Sequence, residues 1–129
     1  MTVYELPGPP IPLKRHRHSG KTTYDPQKKE KDRLRWYVLS QYRDSVPARD
    51  PFHLKIEFLM PIPQSISLKK AREISMKPHS KKPDLSNLIK FVEDCFNGIL
   101  WEDDNLISSI EATKFYSESP KTLFKIIQV

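Results

Sequence analysis

Apolar and polar side chains alternate most regularly between residues 52 and 60. Phe52, Leu54, Ile56, Phe58 and Met60 fall on one side; His53, Lys55, Glu57 and Leu59 fall on the other. That period of two describes a strand with one buried face, stopped by Pro61-Ile62-Pro63. His53 lies on its polar side, as an exposed histidine. From residue 85 the period changes. Leu85, Leu88, Ile89, Val92, Cys95 and Phe96 recur at about 100° per residue, which predicts a helix over 85–97 with Gly98 at its C′ position. Ser86, Asn87, Lys90, Glu93, Asp94 and Asn97 share its other side. Cys95 is thereby a core residue, and Phe91, off the pattern, suits a dimer contact or a second packing surface.

The remaining elements are weaker. Thr2 to Leu6 reads as a short first strand ended by Pro7-Gly8-Pro9-Pro10. From there to Tyr24 the chain is proline-rich and then basic (Lys14, Arg15, Arg17, Lys21), an extended loop with a turn at Gly20. Asp25-Pro26 supplies N-cap and N1 of a helix to Arg43, with Leu34, Tyr37, Val38 and Tyr42 inward. Its Lys28, Lys29, Lys31, Arg33 and Arg35 form either a solvated face or a DNA contact. Ser65 to Met76 reads as a short helix or ordered loop. Leu106–Tyr116 and Thr122–Val129 read as strands, with Pro120 in the connection as in a hairpin loop. The order β-α-β-α-α-β-β predicts an α+β fold: one domain over 1–129, with a mixed or antiparallel sheet and helices on one face.

Charge narrows the function. The net charge is +6, which biases the chain toward polyanions such as nucleic acid. A single cysteine excludes an intrachain disulfide and a cysteine-based zinc cluster, and fits a reducing compartment. The N-terminus lacks the pattern of a secretory signal, and no apolar run approaches the ~18 residues of a membrane span. The expectation is a soluble, cytoplasmic protein. His16 and His18 have no cysteine or carboxylate nearby and read as part of a solvated or phosphate-facing loop.

Against this basic background stands an acidic island, Asp84, Glu93, Asp94, Glu102, Asp103 and Asp104. It directly follows a run rich in cations (Lys69, Lys70, Arg72, Lys77, Lys81, Lys82). Phosphodiester hydrolysis needs neutralised charge at phosphorus and an activated water. Mg²⁺ supplies both from a site of one or two carboxylates. Asp84 alone also reads as a helix cap, and Asp103-Asp104 alone as a solvated turn. To share one ion, Asp103-Asp104 must return alongside the helix N-terminus, with Ile99-Leu100-Trp101 anchoring the return.

Lys82-Pro83-Asp84-Leu85-Ser86-Asn87-Leu88, Lys90, Asp94, Asn97-Gly98 and Asp103-Asp104 resemble the signature of the RusA family of Holliday junction resolvases. Pro7-Gly8-Pro9-Pro10-Ile11-Pro12, Tyr24-Asp25-Pro26 and Pro61-Ile62-Pro63 extend the resemblance over nearly the whole chain. It implies a homodimeric, Mg²⁺-dependent endonuclease, with Mn²⁺ as a substitute ion, that nicks two strands of a four-way DNA junction symmetrically. In that reading Asp84 and Asp104 bind metal with Asp103 beside them, Lys90 stabilises charge on the scissile phosphate, and Asn87 orients the acids. Lys14, Arg15, Arg17, Lys81 and Lys82 are the expected DNA contacts. Ser86 stands where the family commonly has a second aspartate. Serine brings no negative charge, which leaves open a weaker site, compensation by Asp103 or Glu102, a branched-DNA-binding protein with impaired catalysis, or a plain helix cap. An RNA-binding module would call for exposed aromatics on a strand, and none is evident.

Overall fold

In the computed structural model, which describes residues 2–20 and 22–129 apart from the side chains of Arg17 and Ser19, strand β4 (Phe52–Pro61) is the axis of the sheet. Its neighbours are β5 (Ile107–Ser117), parallel to it, and β6 (Lys121–Gln128), antiparallel. Strand β1 (Tyr4–Pro7) completes the order β1-β6-β4-β5 by pairing with β6. Phe52, Leu54, Ile56 and Phe58 are all but inaccessible to solvent, as their alternation predicts. They share one hydrophobic cluster with Phe124 of β6, Leu34 and Val38 of helix α1 (Lys28–Gln41) and five residues of helix α3 (Leu85–Phe96). The fold is α+β, with a mixed sheet and the expected main element order.

The chain departs from the sequence reading in three places. Strands β5 and β6 are not a hairpin. Residues 118–120 cross the end of β4, because the strand with the most apolar buried face takes the centre and draws a partner to each side. Within the expected loop, β2 (Arg17–Ser19) and β3 (Thr22–Tyr24) form a two-stranded ribbon. Lys21 and the Arg17 side chain, both among the expected cations of that loop, lie outside the described residues. Helix α1 starts later than Asp25-Pro26 suggests. Asp25 accepts from the Gln27 amide at 2.9 Å, shaping the turn before the helix. Phe91 is 2% exposed within this chain's own core, so its place off the helical stripe serves packing within the chain.

The two sheet edges differ. At β1 the Glu5 amide donates to the Tyr42 hydroxyl at 3.0 Å, and Pro7 ends the strand. At β5 the far end is covered by the segment after helix α2 (Leu68–Ile74). Met76 N–H donates to Tyr116 O, Tyr116 N–H to Lys77 O, and His79 N–H to Lys114 O, at 2.7–3.1 Å. From Ser108 to Thr113 no such cover exists among the described residues.

Candidate active site

Helix α3 positions most of the site. Asp84 is its N-cap by backbone geometry, yet the Asp84 side chain makes no capping hydrogen bond. Its exposed carboxylate is therefore available to a ligand. Ser86 and Lys90 follow on the helix and are also exposed. Asn87 bonds through its backbone, donating to Asp84 O and accepting from Leu13 N–H, each within 3.1 Å.

The loop before Asp84 is held from β5. The Lys114 ammonium donates to the carbonyls of Lys81 (2.5 Å) and Pro83 (2.7 Å). His79 packs on Tyr116 with ring centroids 4.7 Å apart, and its buried Nδ1 has no partner among the described residues. Burial, then the charges of Lys114 and Lys81, hold its pKa below the usual histidine value. The ring is therefore neutral at neutral pH.

Asp104 sits at the other end of α3. Leu100 and Trp101 are buried, but they hold the chain at this end of α3, and the return to the helix N-terminus that the sequence reading required does not occur within one chain. Trp101 Nε1–H donates to Asp104 Oδ1 at 2.6 Å, and the Asp104 amide donates to Asn97 Oδ1 at 3.0 Å. Asp103 caps the following single 3-10 turn through the Asn105 amide. Asn97 is the C-cap of α3, thirteen positions beyond Asp84, so the helix rise puts roughly 20 Å between them. The connection explains the placement. Because β5 is parallel to β4, the chain enters β5 at the end of the sheet where α3 finishes. The structure thus groups Asp104 with Asn97, Trp101, Glu93 and Asp103, and groups Asp84 with Ser86, Lys81 and Lys82; within one chain the two groups stay apart.

Electrostatics at the Asp104 end favour a cation. Burial raises the Asp104 pKa, and Asp103 and Asp94 raise it further against the Trp101 hydrogen bond. Burial and Asp104 likewise raise Glu93, with Lys90 opposing. A bound cation relieves that mutual repulsion. Among the described residues of one chain, no three histidine, cysteine or acidic side chains gather as a metal site.

Sequence reasoning missed the clamp behind this end. Lys31, expected on an outward face, is 1% exposed and ion-paired to both Asp25 and Asp94. Arg35 donates to the carbonyls of Cys95 (2.6 Å) and Asp94 (3.2 Å), capping the last turn of α3 from α1. The Cys95 Sγ–H points to Lys31 O, and burial pushes the thiol up to about 12. No local pattern reveals the contacts of Lys31 and Arg35 with α3, which join positions about sixty residues apart. Lys14 and Arg15 are exposed on the approach to the ribbon, as are Lys81 and Lys82 before α3. No helix among the described residues is long and apolar enough to cross a membrane.

The chain is 31% identical over 97 residues, 71% of its own length and 68% of the relative's, to the uncharacterized protein YqaN of Bacillus subtilis (strain 168). The family model described as Endodeoxyribonuclease RusA matches residues 7–127. The chain belongs to this RusA family of Holliday-junction-resolving endonucleases.

Proposed function

We propose that this chain is a Mg²⁺-dependent nuclease that resolves four-way DNA junctions by paired nicks. It works as a homodimer whose two sites each draw on both copies. The observation that carries this reading is the pair of carboxylates at opposite ends of α3. Across a two-fold axis, α3 of one copy runs against α3 of the other. One copy's Asp84 then meets its partner's Asp104, and the reverse, giving two equivalent sites for two strands.

The residues divide the work. Asp84 and Asp104, with Asp103 beside them, hold the ion. Asn97 and Trp101 fix Asp104, while the role for Asn87 is backbone support of the Asp84 turn. Lys90 neutralises charge on the phosphate being attacked. Lys81 and Lys82 with Lys14, Arg15 and Arg17 bind flanking phosphates. Bound Mg²⁺, or Mn²⁺ in its place, supplies Lewis acidity at the phosphate and an activated water.

Ser86 favours a second reading, a branched-DNA binder that does not cut. A synthetic four-way junction with Mg²⁺ or Mn²⁺ separates the two: symmetric nicks, with linear duplex left intact, are the expected result. Retarded junctions that stay whole under both ions overturn the nuclease in favour of the binder.

A further inference from the structure

We infer that the outer face of helix α1 holds an unpaired strand of branched DNA, with Trp36 stacked on one of its bases and Arg33 and Lys29 on the phosphates beside it. The inference rests on the nuclease reading for the DNA it serves, but the surface itself stands on the geometry of α1.

Lys31, Leu34 and Val38 turn into the protein. Opposite them Lys29, Arg33, Trp36 and Ser40 recur at helical spacing, and all four are exposed. Trp36 is 74% exposed, whereas the chain's other tryptophan, Trp101, is fully buried. Among the described residues the Trp36 ring stacks on no other ring. An indole gains most when it is covered, so its exposure leaves that gain to a ligand.

Charge says which ligand. Lys29 and Arg33 have no acidic partner among the described residues. Asp32 is taken by Lys28 and Arg35, and Glu30 lies about a quarter turn round the helix from the stripe. A flat aromatic face beside such cations matches a base and its phosphates. A base inside a duplex is covered on both sides by its neighbours. An indole projecting from a convex helix therefore finds a bare base only where the strands are unpaired. Arg33 lies one turn from Trp36, roughly 5 Å along the axis, and Lys29 two turns, so a single strand meets all three. A second copy of this chain, with its net charge of +6, would bring like charge to the same face.

The stripe adjoins the candidate site. Arg35, next in sequence to Trp36, donates to the Asp94 and Cys95 carbonyls in the last turn of α3. Asn97, just beyond, holds the Asp104 amide. Helix α1 is thus the element beside the Asp104 end on which a displaced strand can lie.

Intrinsic fluorescence tests this, with a chelator present so that nothing is cut. The probes are an oligothymidine single strand and a blunt duplex of equal length. The single strand should quench exposed Trp36 and spare buried Trp101. Trp36→Ala should lose the quench and weaken single-strand binding roughly ten- to hundredfold, while duplex binding and the unfolding temperature hold. Trp36→Phe should restore most of the affinity. Arg33→Gln should flatten the plot of log single-strand affinity against log salt by about 0.7. An absent quench overturns the inference, as does a Trp36→Ala protein that binds the single strand like wild type or loses strand and duplex alike. So does a Trp36→Ala protein of lower sedimenting mass than wild type, because a second copy then covers the ring. If wild type nicks junctions while any of these holds, the surface is wrong and the nuclease reading stands. If the quench and its loss appear and no divalent ion supports cutting, the surface stands and the nuclease reading falls.

Discussion

Lys114 and Pro83 belong to different elements, yet the lysine ammonium sits 2.7 Å from the proline carbonyl, one residue before Asp84. Strand β5 thus steadies the loop that presents the carboxylate. Lys114→Met should cost about 1–2 kcal/mol of stability, the scale of charge-assisted hydrogen bonds at a partly exposed site. It should also raise the Mg²⁺ concentration for half-maximal cutting while junction affinity holds. A titration in which Mg²⁺ demand stays put would leave Lys114 with a purely structural part.

A site shared between copies makes a definite prediction for mixtures. Asp84→Asn and Asp104→Asn homodimers should each bind junctions and cut nothing. Mixed and allowed to exchange, they form heterodimers with one fully native site and one doubly disabled site. Single nicks should reappear, at up to half of the protein. Silence from the mixture, with exchange verified by mass, would mean that each chain holds its own ion.

Ser86 lies two residues after Asp84, within the first turn of α3, and is exposed. Ser86→Asp should lower the Mg²⁺ needed for half-maximal cutting roughly tenfold, because ligand charge sets affinity for hard cations. Unchanged Mg²⁺ demand would show that another acid already completes the site.

The Lys31 clamp should show in stability rather than in chemistry. Burial works against the Lys31 charge, but hydrogen bonds and ion pairs with Asp25 and Asp94 hold its pKa above the usual lysine value. Burial also opposes the Asp25 charge, and Lys31 and the Gln27 amide more than offset it, so that pKa is lowered. The lysine's contribution is full below its unfolded pKa of 10.5 and is lost as pH rises through the higher folded value. That of Asp25 is present above 3.8 and is lost as pH falls through its lower folded value. Lys31→Met should destabilise by about 2–4 kcal/mol between these limits. Denaturant curves of variant and wild type should converge in acid below the Asp25 value.

Removing any one of Lys14, Arg15, Arg17, Lys81 or Lys82 should weaken junction binding evenly across sequences. Deleting a cation that pairs with a phosphate should flatten the plot of log affinity against log salt by about 0.9. A variant with an unaltered slope marks a cation that does not touch DNA.

Much of this arrangement was legible in the chain. The alternation of Phe52 to Met60 and the helical stripe from Leu85 to Phe96 name the central strand and the main helix, because each buries one face and repeats with its own period. The acidic island, by contrast, does not gather within one chain: Asp84 begins α3, while Asp103 and Asp104 lie in the turn beyond its end. What stayed hidden depends on partners remote in sequence. Lys31 looks like any surface lysine until Asp25 and Asp94 are seen to enclose it. The order of strands hid the separation of Asp84 from Asp104. A hairpin and a crossover read alike in local pattern, but only the parallel crossover starts β5 at the far end of α3. The ribbon Arg17–Tyr24 lacks a periodic signal, being too short to show one.

The hydroxyl of Tyr42 on the Glu5 amide has a consequence for how far assembly can go. A sheet with two bare edges accepts newcomers on both sides and extends into a filament. A sheet with one bare edge exhausts its capacity with the first arrival when that edge is self-complementary. Tyr42 on the Glu5 amide and Pro7 at the strand end leave β1 a poor template for such addition.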